Sequence, residues 1–240
     1  MNTKKELFFR GIRDGIPIAL GYFAVSFTFG IMAVEGGLSI WQAALISLSN
    51  VTSAGQFAGL GIIFAGGSLT EMALTQLVIN LRYSLMSFSL SQKIEEKTGT
   101  GHRMLVSFGI TDEIFGIAAS FPGRVSPFYN YGAMCVAIPG WVLGTTVGAI
   151  AGNVLPDMLI SALGVAIYGM FLAIIIPPAK KNRAVLLAVV LAAGVSCLFR
   201  YVPFLSGVSS GFAIILTTLG VSILAALIAP VREEGGADAA

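Results

Sequence analysis

The sequence predicts an all-α polytopic membrane protein with about six to eight apolar segments, at least one of them broken or re-entrant. Three observations carry this expectation. Hydrophobic residues make up 56% of the 240-residue chain and charged residues 11%, against about 25% charged in soluble domains. Such a composition cannot cover a water-facing surface. Apolar runs recur near the roughly 20 residues that cross a bilayer. The charge is confined to short stretches between them, such as "SQKIEEKTGTGHR", "PAKKNR" and "VREEGGADAA". No polar stretch could house a soluble domain, so residues 1–240 read as a single integral membrane domain.

The elements follow in order. Residues 1–14 carry Lys4, Lys5, Arg10 and Arg13 ahead of the first apolar run, which keeps this N-terminus cytoplasmic. No clean small-residue cleavage site follows, so no removable signal peptide is expected. Apolar segments then run from Ile16 to Val34, Ile40 to Ala65, Leu69 to Leu90, Met104 to Phe121, Tyr131 to Ala151, Met158 to Ile176, Ala184 to Phe199 and Phe212 to Ala229. Residues 231–240 form a polar tail.

The basic residues expose a conflict. Lys and Arg cluster at the N-terminus, in the loop from Ser91 to Arg103 and in "KKNR", and all three clusters should be cytoplasmic. Three apolar segments separate each cluster from the next, so simple crossings would put the middle one outside. One segment in each triplet must therefore fail to cross. In the first triplet the second segment is the candidate, because Asn50 to Gly55 divide it into two stretches too short to span. Non-helical backbone at membrane depth is tolerated only where protein or a water-filled cavity supplies its hydrogen bonds, which points to a transport site. The odd segment of the second triplet is not evident. The charge pattern also points to an inverted repeat of two halves, although no residue-level repeat is visible.

The stretch "SLSNVTSAGQFAG" holds Ser47, Ser49, Asn50, Thr52, Ser53 and Gln56 inside an apolar run. Asn50, Ser53, Gly55 and Gln56, with Asn80, are read as substrate-binding residues; interhelical hydrogen bonding is the alternative. Arg82, Asp112 and Glu113 are the ionisable groups deepest in apolar runs. Each costs about 2.5–3.5 kcal/mol at a helix centre unless it faces a cavity or a partner. Arg82 and Asp112 lie equally far from Lys97, so an antiparallel hairpin gives them a common depth and allows an ion pair. Either helix locking or proton coupling would follow. Gly140, Gly144, Gly148 and Gly152 repeat every fourth residue, a face that another helix can approach closely.

Several classes are excluded. The small net charge of +2 and its placement between apolar runs give no nucleic-acid surface. No HExxH, GxSxG or Walker A pattern occurs, and no cofactor or metal site is expected. Cys135 and Cys197 read as small buried side chains, and His102 as a solvent-exposed one.

The segments "GIPIALGYFAVSFTFGIMAVEGGLS", "SAGQFAG", "VINLRYSLMSFSL" and "ITDEIF" occur in an order that resembles the AzlC (YgaZ-like) family of branched-chain amino acid exporters. The resemblance covers approximately Gly11 to Glu113. It implies a multi-pass inner-membrane permease that works with a small AzlD (YgaH-like) membrane subunit. Motif matches carry over Pro17, Gly21, Tyr22, Phe29, Gly30, Ala54 to Phe57, Asn80 to Tyr83 and Thr111 to Glu113. Family members often have His where this chain has Tyr83. The expected function is export of branched-chain and similar apolar amino acids, by secondary proton-coupled efflux and not by enzymatic turnover. A channel-like or scaffold subunit and an intramembrane enzyme remain the alternatives.

Overall fold

A computed structural model describes residues 3–152, 182–205 and 207–228, together with positions 154, 156, 158, 172, 175, 176, 179 and 180. The predicted segment Met158 to Ile176 and the tail 231–240 therefore lie largely or wholly outside the described residues. The described chain is helical: α1 Lys4–Glu35, α2 Ile40–Ser49, α3 Ser53–Phe64, α4 Leu69–Lys93, α5 Thr100–Phe108, α6 Asp112–Ala119, α7 Pro127–Gly152, α8 Arg183–Tyr201 and α9 Ser210–Ile228. Helices α1, α7, α8 and α9 are long and apolar enough to cross a membrane. Helix α4 has 25 residues, roughly 37 Å at 1.5 Å per residue, and so reaches across despite its polar side chains.

Helices α1 and α7 form the spine and run parallel. Their axes approach closely because glycines face backbone along the whole seam. A Cβ on Gly132 would lie 2.0 Å from Phe8 O, one on Gly144 2.4 Å from Phe23 O and one on Gly148 2.0 Å from Phe27 O. Gly140 meets Ala19, and Gly152 meets Ile31 and Val34. The four-residue glycine stripe thus packs inside the chain, against α1. Tight backbone approach replaces the hydrophobic effect here, since lipid tails are as apolar as any side chain.

Both conflicts in the charge pattern resolve in the same way. Helices α2 and α3 form a re-entrant hairpin: a Cβ on Gly36, at the end of α1, would lie 1.8 Å from the Phe64 ring at the end of α3. The chain leaves by the face it entered. The fourth apolar segment is broken too, into α5 and α6, and this corrects the single segment from Met104 to Phe121. Helix α6 returns to the start of the bundle, where Lys93 Nζ donates to Ala119 O, Arg10 stacks 4.7 Å above the Phe121 ring and Arg124 pairs with Glu96 at 2.6 Å. Lys4 lies 5.1 Å above the Phe128 ring. The N-terminus, the connection after α4 and the start of α7 consequently share one face, called here the N-terminal face.

At the opposite face, Glu71 at the start of α4 accepts from Ser209 Oγ at 2.5 Å and from Gly211 N at 2.9 Å. This carboxylate caps the start of α9. Helix α8, joined to α9 by the connection 202–209, therefore ends at the opposite face and begins with Arg183 at the N-terminal one. Cys135 and Cys197 are exposed and not buried as expected, because each lies on an outward helix face. His102 is exposed, with Nδ1 2.7 Å from Tyr131 Oη.

Candidate functional site

The two hairpins enter from opposite faces and their tips meet. The first tip spans residues 50–52 between α2 and α3, the second residues 109–111 between α5 and α6. The first break falls just ahead of the predicted site near Gly55, which sits in the first turn of α3. Between the tips lies a cavity of about 300 Å³ walled by Val51, Ser53 and Ala54 from one hairpin and Thr111, Asp112 and Glu113 from the other. That volume is at the lower end of the range of small-molecule pockets, about 300–1,000 Å³, and suits a small zwitterion. Tyr22 and Val25 of α1, Arg82 and Tyr83 of α4, Trp141 of α7 and Ile175 complete the wall.

Two helix N-termini thus face one cavity, and they differ. At α6 the N-cap Thr111 accepts from Ile114 N at 3.3 Å, while Asp112 and Glu113 occupy the first turn. At α3 the N-cap Thr52 makes no side-chain cap bond. Its hydroxyl instead donates to Asn80 Oδ1 at 2.9 Å and accepts from Tyr83 Oη at 3.3 Å. No N-cap side chain takes up the first-turn N–H groups of α3, and Ser53 and Ala54 of that turn line the cavity, where the helix dipole favours an anion.

Arg82 Nη1 lies 3.0 Å from Asp112 Oδ2. The guanidinium also donates to Tyr83 Oη at 3.1 Å and sits 4.9 Å from that ring's centroid. Asp112 begins a helix and does not stand inside an unbroken one as the simple hairpin assumed, yet the shared depth survives because the break leaves it opposite the middle of α4. Glu113 Oε2 accepts from Tyr22 Oη at 2.6 Å. The same phenol oxygen lies 2.5 Å from Thr111 Oγ1. Glu113 makes no ion pair among the described residues.

The sequence-predicted residues divide into groups. Ser53, Arg82, Asp112 and Glu113 line the cavity. Asn50, Gly55 and Gln56 line a neighbouring space of about 240 Å³ with Met72 and Gln76. Gln56 is 2% exposed; its amide donates to Ser47 Oγ at 2.8 Å and accepts from Trp141 Nε1 at 2.7 Å. Ser47 Oγ in turn lies 2.7 Å from Thr145 Oγ1. Gln56 therefore joins α2, α3 and α7, and it reaches the cavity only through Trp141. Asn80 bonds Thr52 and donates to Gln76 Oε1 at 3.1 Å, while Gln76 donates to Gly55 O at 2.7 Å. These amides tie the start of α3 to α4. Gly55 has no room for a Cβ, which would lie 2.6 Å from Gln76 Oε1.

Among the polar residues of "SLSNVTSAGQFAG", Ser53 stands apart. The residue lines the cavity and its Oγ is buried beneath the wall without a hydrogen-bond partner, whereas Ser49 bonds back to Leu45 O at 2.7 Å within its own helix. Residue-by-residue reading passed over Val25, Trp141 and Gln76. Gln76 could have been found as a second amide one turn from Asn80; nothing local marks Trp141.

The profile of the AzlC protein family matches residues 17–155. The chain is 28% identical over 214 residues to "Inner membrane protein YgaZ" of Escherichia coli (strain K12), covering 85% of this chain and 87% of the relative. It is 30% identical over 183 residues to an "Uncharacterized membrane protein" of Archaeoglobus fulgidus, covering 75% of this chain and 80% of the relative. An "Uncharacterized membrane protein" of Helicobacter pylori (strain 26695) is 25% identical over 61% of this chain and 66% of its own length. No solved structure matches the chain. Broken helices at mid-membrane, the motifs that line them and a profile spanning more than half of the sequence agree: the chain is an integral membrane protein and belongs to the AzlC family.

Proposed function

We propose that the chain exports branched-chain and similar apolar amino acids across the inner membrane, binding the zwitterion between the hairpin tips. The observation that carries this reading is the uncapped start of α3, whose Ser53 and Ala54 line the cavity together with the carboxylates of α6; the unpartnered Ser53 Oγ lies buried beneath that wall. An α-carboxylate suits Ser53 and the open N–H groups, with Arg82 alongside. An α-ammonium suits Asp112 and Glu113. Val25, Val51, Trp141 and Ile175 offer the side chain an apolar wall. Such walls separate neighbours differing by one methylene by only about 1–3 kcal/mol, so valine, leucine and methionine should all be accepted.

Proton coupling falls to Glu113, whose hydrogen bond to a neutral phenol lets it gain a proton without breaking an ion pair. The reading places the N-terminal face in the cytoplasm, since Lys4, Lys5, Arg10, Arg13, Lys93, Lys97, Arg103, Arg124 and Arg183 gather there. The small AzlD-like subunit is a further part of the proposal. Helix α8, which buries none of its residues, is the surface offered to it.

Efflux of labelled valine from loaded vesicles, with and without a pH gradient and with and without the small subunit, tests the proposal. Export that is saturable, competed by leucine and steepened by the gradient is expected. Efflux no faster than from empty-vector vesicles would sink it. Lys97→Cys, at an exposed position, in a background lacking Cys135 and Cys197 should stay closed to an impermeant thiol reagent outside intact cells and open to it in inside-out vesicles; labelling from outside would reverse the orientation.

A further inference from the structure

Helices α1 and α4 run in opposite directions, and each is followed by a hairpin that re-enters the face at which that helix ends. With Tyr22 set against Tyr83, the sequences of the two helices repeat. "IALGYFAVSF" from Ile18 to Phe27 matches "INLRYSLMSF" from Ile79 to Phe88 at Ile18/Ile79, Leu20/Leu81, Tyr22/Tyr83, Ser26/Ser87 and Phe27/Phe88, a constant spacing of 61 residues. The same spacing pairs Phe29 with Leu90, both buried at 0% and 1% exposure. At the hairpin tips, Val51-Thr52 corresponds to Ile110-Thr111, and both threonines are helix N-caps.

The hydrogen bonds repeat this correspondence in crossed form. Tyr22 of the first unit bonds Thr111 of the second at 2.5 Å, and Tyr83 of the second bonds Thr52 of the first at 3.3 Å. Each tyrosine holds the other unit's hairpin by its tip. Because α5–α6 enters from the N-terminal face, it stands between the cavity and that face. Hairpin α2–α3 stands likewise on the opposite side.

We infer that residues 4–64 and 69–119 are inverted copies of one helix-plus-hairpin unit, and that the crossed tyrosine–threonine bonds are the two gates of the cavity. Release of Tyr22 from Thr111 opens it toward the N-terminal face; release of Tyr83 from Thr52 opens it toward the other. A site between inverted repeats with exchangeable contacts is what alternating access requires. The inference rests on the reading of this cavity as a transport site. The repeat unit also differs from the triplet division suggested by charge, since α4 opens the second copy instead of closing the first.

The test reads access and not amino acid. Ala54→Cys, on the cavity wall, is placed in a background lacking Cys135 and Cys197 and labelled with an impermeant thiol reagent in right-side-out and inside-out vesicles. Lys97→Cys, exposed in the connection after α4, identifies the N-terminal face. Losing one neutral hydrogen bond shifts a two-state population by about fivefold, and the tyrosine variants also lose the bonds to Glu113 and Arg82, so about fivefold is the least expected of them. Tyr22→Phe should therefore speed labelling at least about fivefold from the N-terminal face alone, and Tyr83→Phe by a similar factor from the opposite face alone. Thr111→Val and Thr52→Val remove the threonine partner while Tyr22 keeps its bond to Glu113 and Tyr83 its bond to Arg82, and should accelerate labelling from the same respective faces by a smaller factor. Acceleration from the same face by both tyrosine variants, or no change in any variant, overturns the inference. So does failure of all four variants to accumulate, which would make the bonds struts of the fold. Absence of amino acid efflux beside the expected labelling would defeat the substrate reading and leave the gates standing.

Discussion

The two hairpins share one architecture and carry opposite chemistry. In α2–α3 the helix after the break begins Ser53-Ala54, and the matching helix in α5–α6 begins Asp112-Glu113. On the preceding helices Gly21 corresponds to Arg82. Every charge at the site thus lies in the second copy, and the first offers an open helix N-terminus. A symmetric frame loaded asymmetrically gives a zwitterion a direction: one tip suits its anionic end and the other its cationic end. Duplicated backbone supplies the depth and the meeting of the tips; divergence of three residue pairs supplies the polarity.

Removing charge from the second copy should break that polarity most. Arg82→Gln and Asp112→Asn each strand a partner, and because both side chains are about half exposed to the cavity the cost is about 1–3 kcal/mol, below that of a fully buried pair. Efflux of labelled valine should fall more than tenfold in each single variant, and the double variant should recover part of the loss. If the double loses as much as the two singles combined, the pair is not coupled.

Glu113→Gln should come next. It keeps the hydrogen bond to Tyr22 but removes the exchangeable proton, so efflux should lose its response to an imposed pH gradient while counterflow of valine persists. A gradient response like the parent's would remove Glu113 from coupling.

The first copy should answer more gently. Ser53→Ala deletes a neutral ligand, which is worth about 0.5–1.5 kcal/mol, so half-saturation for valine, leucine and methionine should rise together by about two- to tenfold with normal protein level. Gln56→Ala acts elsewhere, through Ser47 and Trp141. At about 0.6 kcal/mol per interhelical bond it should cost about 1–2 kcal/mol of stability, seen as earlier thermal unfolding in detergent. Loss of affinity without loss of stability in Gln56→Ala would move it from frame to binding site. Ser49→Ala, whose hydroxyl bonds only its own helix, should change neither measurement.

The sequence by itself determined the membrane class, the break in the second segment, the close packing at the glycine stripe and a common depth for Arg82 and Asp112. Each is local or one-dimensional: composition, run length, four-residue spacing and the position of basic residues are all written along the chain. The second break was not legible, because "FGITDEIFG" reads as apolar residues interrupted by charge, and only the fold shows Thr111 capping a new helix. The division of labour among the polar residues was equally hidden. Ser47 and Thr52 carry the same hydroxyl as Ser53 and Gln56 is an amide as readily bonded, and what separates them from Ser53 is whether a partner from another helix arrives, a fact of three-dimensional contact. The repeat lay in the sequence throughout, but five matches in ten residues stand out only once antiparallel helices and crossed hydrogen bonds say which positions to compare.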